Sequence, residues 1–185
     1  MTRSSGQIED VSVTLSSRVH VLIYLSAAIF ISILQLSGWM DSSIRTLHMW
    51  QSAIYIVIII LCVRRSILGY GAGIGIAAFW NTANLFVTNF AKSGWTVLVR
   101  MLQGQSNPHP ELIIAPIAVA AHFILIGACV YSYLVRPARR KMDLVLLLIS
   151  AASTVFIFFL IISAWGPQYL HIFSTMISWF GVRVR

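Results

Sequence analysis

The sequence predicts an all-α integral membrane protein with five transmembrane helices, six on an alternative reading of the C-terminus, and with amphipathic helices lying in the interface. Three observations carry that reading. Five apolar runs occupy residues 19–39, 46–63, 66–90, 112–135 and 142–165. A helix rises about 1.5 Å per residue, so about 20 apolar residues cross a hydrocarbon core of about 30 Å. Hydrophobic residues make up 58% of the chain and charged residues 10%, where a soluble domain carries about a quarter charged residues. No strand-like alternation appears in the runs, and lipid leaves no backbone amide unpaired, so the runs are helices.

Residues 1–17 are polar, contain Glu9 and Asp10, and read as a cytoplasmic tail. The run that follows is too long for the apolar core of a cleaved signal peptide, so the first span reads as an uncleaved anchor. Residues 18–165 form one five-helix membrane domain. With five spans, one side receives Arg3, Arg18, Arg64, Arg65, Arg136, Arg139, Arg140 and Lys141. The other receives Arg45, Lys92, Arg100, Arg183 and Arg185. Eight against five places the N-terminus in the cytoplasm of a multi-pass cell-membrane protein. The net charge of +8 therefore sits at helix ends, against anionic lipid headgroups, and does not point to nucleic acid.

The third run, "SILGYGAGIGIAAFWNTANLFVTNF", carries the most specific pattern. Gly69, Gly73, Ala77 and Asn81 fall four apart, with Gly71 and Gly75 in a second row beside them. Small residues at that spacing let another helix approach closely, either within the bundle or from another chain. Asn81, Asn84 and Thr88 then share a face in the outer half of the membrane. They read either as interhelical hydrogen-bonding groups or as the lining of a solute path.

Residues 91–111 form an exported loop. Trp95, Leu98, Val99 and Leu102 recur at helical spacing, which predicts a short interfacial helix ended by "GQSNPHP". "GP" at 166–167 breaks the fifth run, and Pro167 suits the first turn of a new helix. Over 166–185, His171, Ser174, Thr175 and Ser178 make a polar face opposite Tyr169, Phe173, Met176, Ile177 and Phe180. That predicts an amphipathic helix on the membrane surface. A sixth span is the competing reading, since it would carry Arg183 and Arg185 to the cytoplasmic side.

Five histidines are the remaining candidates for chemistry. His20 and His48 open the first and second spans, His122 lies within the fourth, and His109 and His171 lie on the exported side. His48 and His122 converge if their helices are neighbours, and two imidazoles so held are the axial pair of a b-type haem. Each also has a plain reading, as an interfacial cap or a hydrogen-bonded bundle residue. No HxxH, HxxxH or CxxC supplies a local metal site. Cys62 and Cys129 lie within spans and read as small packing residues.

Arg18 with His20, Ser37–Gly38, His48 and His122 resemble, at scattered positions, the b-type cytochrome subunits of hydrogenases and formate dehydrogenases. The resemblance implies a haem-binding electron-transfer subunit ligated through His48 and His122. The chain departs from that pattern in three places. No Trp follows His20, the distance to Ser37–Gly38 is too long, and Arg136 stands where a second histidine of the fourth span belongs. A two-haem site does not carry over.

No P-loop, no Gly-x-Ser-x-Gly elbow and no paired carboxylates within a span occur. All five acids lie outside or at the edges of the apolar runs, which weighs against proton-coupled transport. The resulting expectation is a non-catalytic polytopic subunit of a larger membrane complex, in contact with lipid and with other subunits or copies of itself. A haem-binding electron-transfer subunit and a small channel or carrier are the alternatives.

Overall fold

In a computed structural model, residues 5–106, 109–137 and 140–179 are described, with side chains from residue 17 onward. Every regular element among them is helical. The α-helices are α1 (Ser5–Met40), α2 (Arg45–Val63), α3 (Ile67–Thr82), α4 (Phe90–Leu102), α5 (Ile114–Leu134), α6 (Lys141–Trp165) and α7 (Leu170–Ser178). Four helical segments, 17–40, 42–63, 111–134 and 141–165, are long and apolar enough to cross a membrane. The polar N-terminal segment is itself helical from Ser5 and runs directly into α1.

The third apolar run is not the continuous helix over 66–90 that its composition predicts. As an α-helix α3 covers 16 residues. A π-helical stretch, Ala83–Val87, follows it, and the Thr88 amide bonds the Ala83 carbonyl at 2.8 Å. The cause is local. Asn and Thr side chains compete with the backbone for hydrogen bonds, and the segment 81–89 carries five of them. Thr82 Oγ1 already takes the Ala78 carbonyl at 2.8 Å.

The glycine-rich α3 is the centre of the bundle, packed on α2, α5 and α6, while α1 packs on α2 and α5. A Cβ on Gly75 would stand 2.5 Å from the Ala151 carbonyl oxygen, and one on Gly71 would collide with the carbonyl of Leu147. These two glycines set the approach of α3 to α6. Gly69 lies against Leu61 and Cys62 of α2, with contacts of 2.8 Å from an added Cβ. Gly73 is looser, its nearest neighbour being the Cys129 Sγ at 3.0 Å, and Ala77 is fully buried. Both small-residue rows therefore face helices of the same chain, and a partner chain must use other surfaces.

Long helices successive in the sequence alternate in direction, and α3 and α6 run parallel, Gly71 on Leu147 and Gly75 on Ala151, so like residues gather at the two ends. Arg18, Arg64, Arg65, Arg136, Arg140 and Lys141 lie at one end, and Trp39, Trp50, Trp95, Trp165 and Trp179 at the other. Trp50 and Trp165 meet there at 5.1 Å between ring centroids. At the same end the Ser43 hydroxyl and amide bond Asp41 and hold its carboxyl below the usual carboxylate range. The amphipathic α4 turns Ala91, Gly94 and Val97 inward onto the start of α5, leaving Trp95 and Leu102 61% and 79% exposed. Pro167 opens a 3-10 turn before α7, as its position predicts. The nine residues of α7 reach about 14 Å, and Ile172 packs its buried side against the bundle. Residues 180–185, and with them the full six-span alternative, lie outside the described residues, as do Arg3 and Arg139.

Candidate functional site

The half of the bundle toward the tryptophan-rich end holds two polar features, a buried hydrogen-bond chain and a cavity beside it. His122 is wholly buried. Its Nε2 lies 2.6 Å from the Tyr55 hydroxyl and its Nδ1 3.3 Å from Asn81 Oδ1, while Asn81 Nδ2 donates to the Val119 carbonyl at 3.4 Å. A carbonyl only accepts, which fixes the orientation of the Asn81 amide. Its oxygen accepts from His122, so the imidazole proton sits on Nδ1 and the Nε2 lone pair accepts from Tyr55. The chain thus runs Tyr55 to His122 to Asn81 to Val119, tying α2, α5 and α3 together. Phe30 of α1 covers the imidazole at 3.9 Å between centroids.

The cavity, about 290 Å³, opens beside this chain between α1, α2, the π-helical stretch, α6 and α7. Gln51 is 1% exposed and lines it, yet neither polar atom of its side-chain amide has a partner among the described residues. Trp80 lines the same cavity, and its buried indole N–H also lacks a partner among the described residues. Asn84 and Thr88 complete the polar wall, with Thr88 Oγ1 donating to Asn84 Oδ1 at 3.5 Å. His48 lies at the rim, its Nδ1–H given to the Leu34 carbonyl at 3.0 Å. Phe30, Leu34, Leu47, Ala118, Ile162 and Ile172 supply apolar walls. Each orphaned buried polar group costs about 1–3 kcal/mol, and three such atoms on two residues that line one cavity are an unusual concentration.

The predicted polar face on the third run is split. Asn81 turns into the bundle toward His122, whereas Asn84 and Thr88 line the cavity. The histidines do not gather. His109 pairs with Glu111 at 3.0 Å on the surface, His171 bonds the Gln168 carbonyl at 2.9 Å, and His20 lies at the opposite end. Among the described residues no three His, Cys, Asp or Glu side chains come together. The residues present do not fit a haem held by His48 and His122. Both nitrogens of His122 are engaged within the chain and Phe30 covers its ring, so no axial position is open.

Gln51, Trp80 and Tyr55 are the site residues that pattern reading missed. A signal for two of them was present. His48, Gln51, Ser52 and Tyr55 fall at i, i+3, i+4 and i+7, a polar stripe down an otherwise apolar helix. Ser52 belongs to the same stripe, accepting from Gln35 Nε2 at 2.7 Å.

Comparison with known proteins returns no match: no family model fits the chain, and no curated protein and no solved structure is similar to it.

Proposed function

We propose that the chain is a five-span protein of the cell membrane, N-terminus in the cytoplasm, whose outer cavity binds a neutral, largely apolar molecule bearing carbonyl oxygens. The unpartnered amide of Gln51 inside that cavity is the observation that carries the binding reading. Four helices already have crossing length. The fifth span joins α3 to the π-helical stretch, together 21 residues and about 31 Å at helical rise. Arginines gathered at one end fit that orientation, and tryptophans are expected interfacial anchors at either end.

The chemistry of the walls selects the ligand. Trp80 N–H and the Gln51 amide nitrogen are donors, and among the described residues no carboxylate, lysine or arginine lines the cavity, so a charged ligand has no counterion among them. The volume lies at the lower end of small-molecule pockets, enough for a ring or a short acyl segment. A decyl-tailed benzoquinone and decanamide are suitable probes. Either should raise the unfolding temperature of the wild type in a concentration-dependent way, and Gln51→Met or Trp80→Phe should abolish the rise. No rise with either probe, or an equal rise in the variants, contradicts the reading.

A second reading, membership of a larger membrane assembly as a non-catalytic subunit, draws on Gly127. It faces outward from α5 with nothing within 4 Å of where a Cβ would stand, a notch into which a partner helix fits. Gly127→Leu should then shift the particle size in mild detergent without lowering the unfolding temperature of the released chain. An unchanged particle size would count against an assembly through this face. A through-going channel has less support. Fully buried Ala27, Ile58, Ile76 and Leu125 separate the cavity from the arginine end.

A further inference from the structure

At the end of the bundle opposite the cavity, a second hollow of about 350 Å³ is lined by His20, Arg64, Arg65, Tyr70, Ser132 and Arg136. Three guanidinium-bearing side chains from two different connections meet there. Arg64 and Arg65 come from the turn between α2 and α3, where Arg65 adopts the left-handed region at φ 51°. Arg136 follows the end of α5, and its Nη1 donates to the Arg65 carbonyl at 3.0 Å, which fixes the guanidinium over the hollow. The Tyr70 hydroxyl and His20 Nε2 close one wall at 2.8 Å.

Two facts show that this is more than a solvated basic edge. Among the residues whose side chains are described, the one ion pair is His109–Glu111, at the other end, and none of the three arginines has a carboxylate partner there. Like charges drawn into one hollow repel each other unless an anion joins them. Second, Ser132 is 6% exposed, lines the hollow, and its hydroxyl has no partner among the described residues. A buried donor left open beside three guanidiniums is a site built for an oxyanion. Guanidinium forks match the oxygens of phosphate in paired hydrogen bonds.

We propose that this hollow binds a phosphate group, carried by a phospholipid headgroup or by a soluble phosphate ester, with Arg64, Arg65 and Arg136 supplying charge and Ser132 Oγ–H a directed hydrogen bond. The site is independent of the cavity reading, and only its lipid arm rests on membrane placement.

Two arms test it on the full chain. In detergent, glycerol phosphate is titrated and binding followed by calorimetry. In nanodiscs, the unfolding temperature is compared in phosphatidylcholine with and without phosphatidylglycerol. Losing one hydrogen-bonded charge corresponds to about a tenfold or greater fall in affinity, so Arg136→Gln should weaken binding by that factor and Arg100→Gln, the same charge change at the other end, should not. Ser132→Ala keeps all charge and should weaken binding severalfold, which separates a directed site from general attraction. Arg136→Lys, which keeps the charge but loses the fork, should fall between Arg136→Gln and wild type and covers the case in which Arg136→Gln does not fold. Response in the first arm identifies a soluble ester, response in the second alone a lipid headgroup, and both support the site. No response in either arm, or equal losses in Arg136→Gln and Arg100→Gln, overturns it.

Discussion

Alanine at Gly75 isolates the contact that sets the architecture. The new Cβ would lie 2.5 Å from the Ala151 carbonyl oxygen and 2.7 Å from its Cα, where ordinary contact begins at 3.4 Å. Both obstacles are backbone, so α3 and α6 must separate by about an ångström along their shared face, an overpacking cost of about 1–3 kcal/mol. Against this stands a gain of about 0.5–1 kcal/mol from replacing a helical glycine by alanine. The net expectation is a loss of up to about 2.5 kcal/mol, or up to about 10 °C in unfolding temperature for a chain of this size. Gly73→Ala meets only the Cys129 Sγ at 3.0 Å, and Gly127→Ala meets nothing within 4 Å. The order of unfolding temperatures in mild detergent, followed by tryptophan fluorescence, should run Gly127→Ala above wild type, Gly73→Ala near wild type and Gly75→Ala lowest. A Gly75→Ala protein at least as stable as Gly73→Ala would refute the helix contact described here.

The remaining predictions concern the hydrogen-bond chain and the orientation. His122→Ala removes the middle of the Tyr55–His122–Asn81 chain and leaves two buried partners open, a loss of about 1–3 kcal/mol or more. Tyr55→Phe, which removes one donor and keeps the ring packed against Phe30, should cost about 1 kcal/mol. His48→Ala should cost less than either. Equal losses at His48 and His122, measured by denaturant titration, would contradict this ranking. For orientation, cysteine at Ser106 should label with a membrane-impermeant reagent added outside cells and cysteine at Ala138 should not. The opposite pattern would invert the topology.

The long elements were legible because the physics behind them is coarse: apolar length and charge at the ends settle where α1, α2, α5 and α6 run. Helix α4 was legible from its amphipathic spacing, although its inward face of Ala91, Gly94 and Val97 shows only once α5 is in place. The small-residue rows of α3 were visible too, but which row makes backbone contact was not. Gly71 and Gly75 meet α6 while Gly73 meets a thiol, and that depends on the rotation of a helix, which spacing alone does not fix. The π-helical stretch was hidden because an apolar count treats "NTANLFVTN" as continuous helix, whereas its Asn and Thr side chains contest the backbone. In the site, the polar face of the third run drew Asn81 into view and the histidines drew His122, but Gln51 was passed over. An amide carries no charge and belongs to no metal motif. Its weight comes from being buried with nothing to bond.

The most direct measurement of the binding claim is mass spectrometry of small molecules released from the chain after isolation in native membrane patches, wild type beside Gln51→Met. An apolar side chain of similar volume removes both orphaned atoms of Gln51, so the variant should be more stable by about 1–3 kcal/mol when empty and should fold at least as well. The account predicts one neutral carbonyl-bearing species held at close to one per chain in the wild type and depleted in the variant. The same small molecules in the same amounts from both proteins would contradict it.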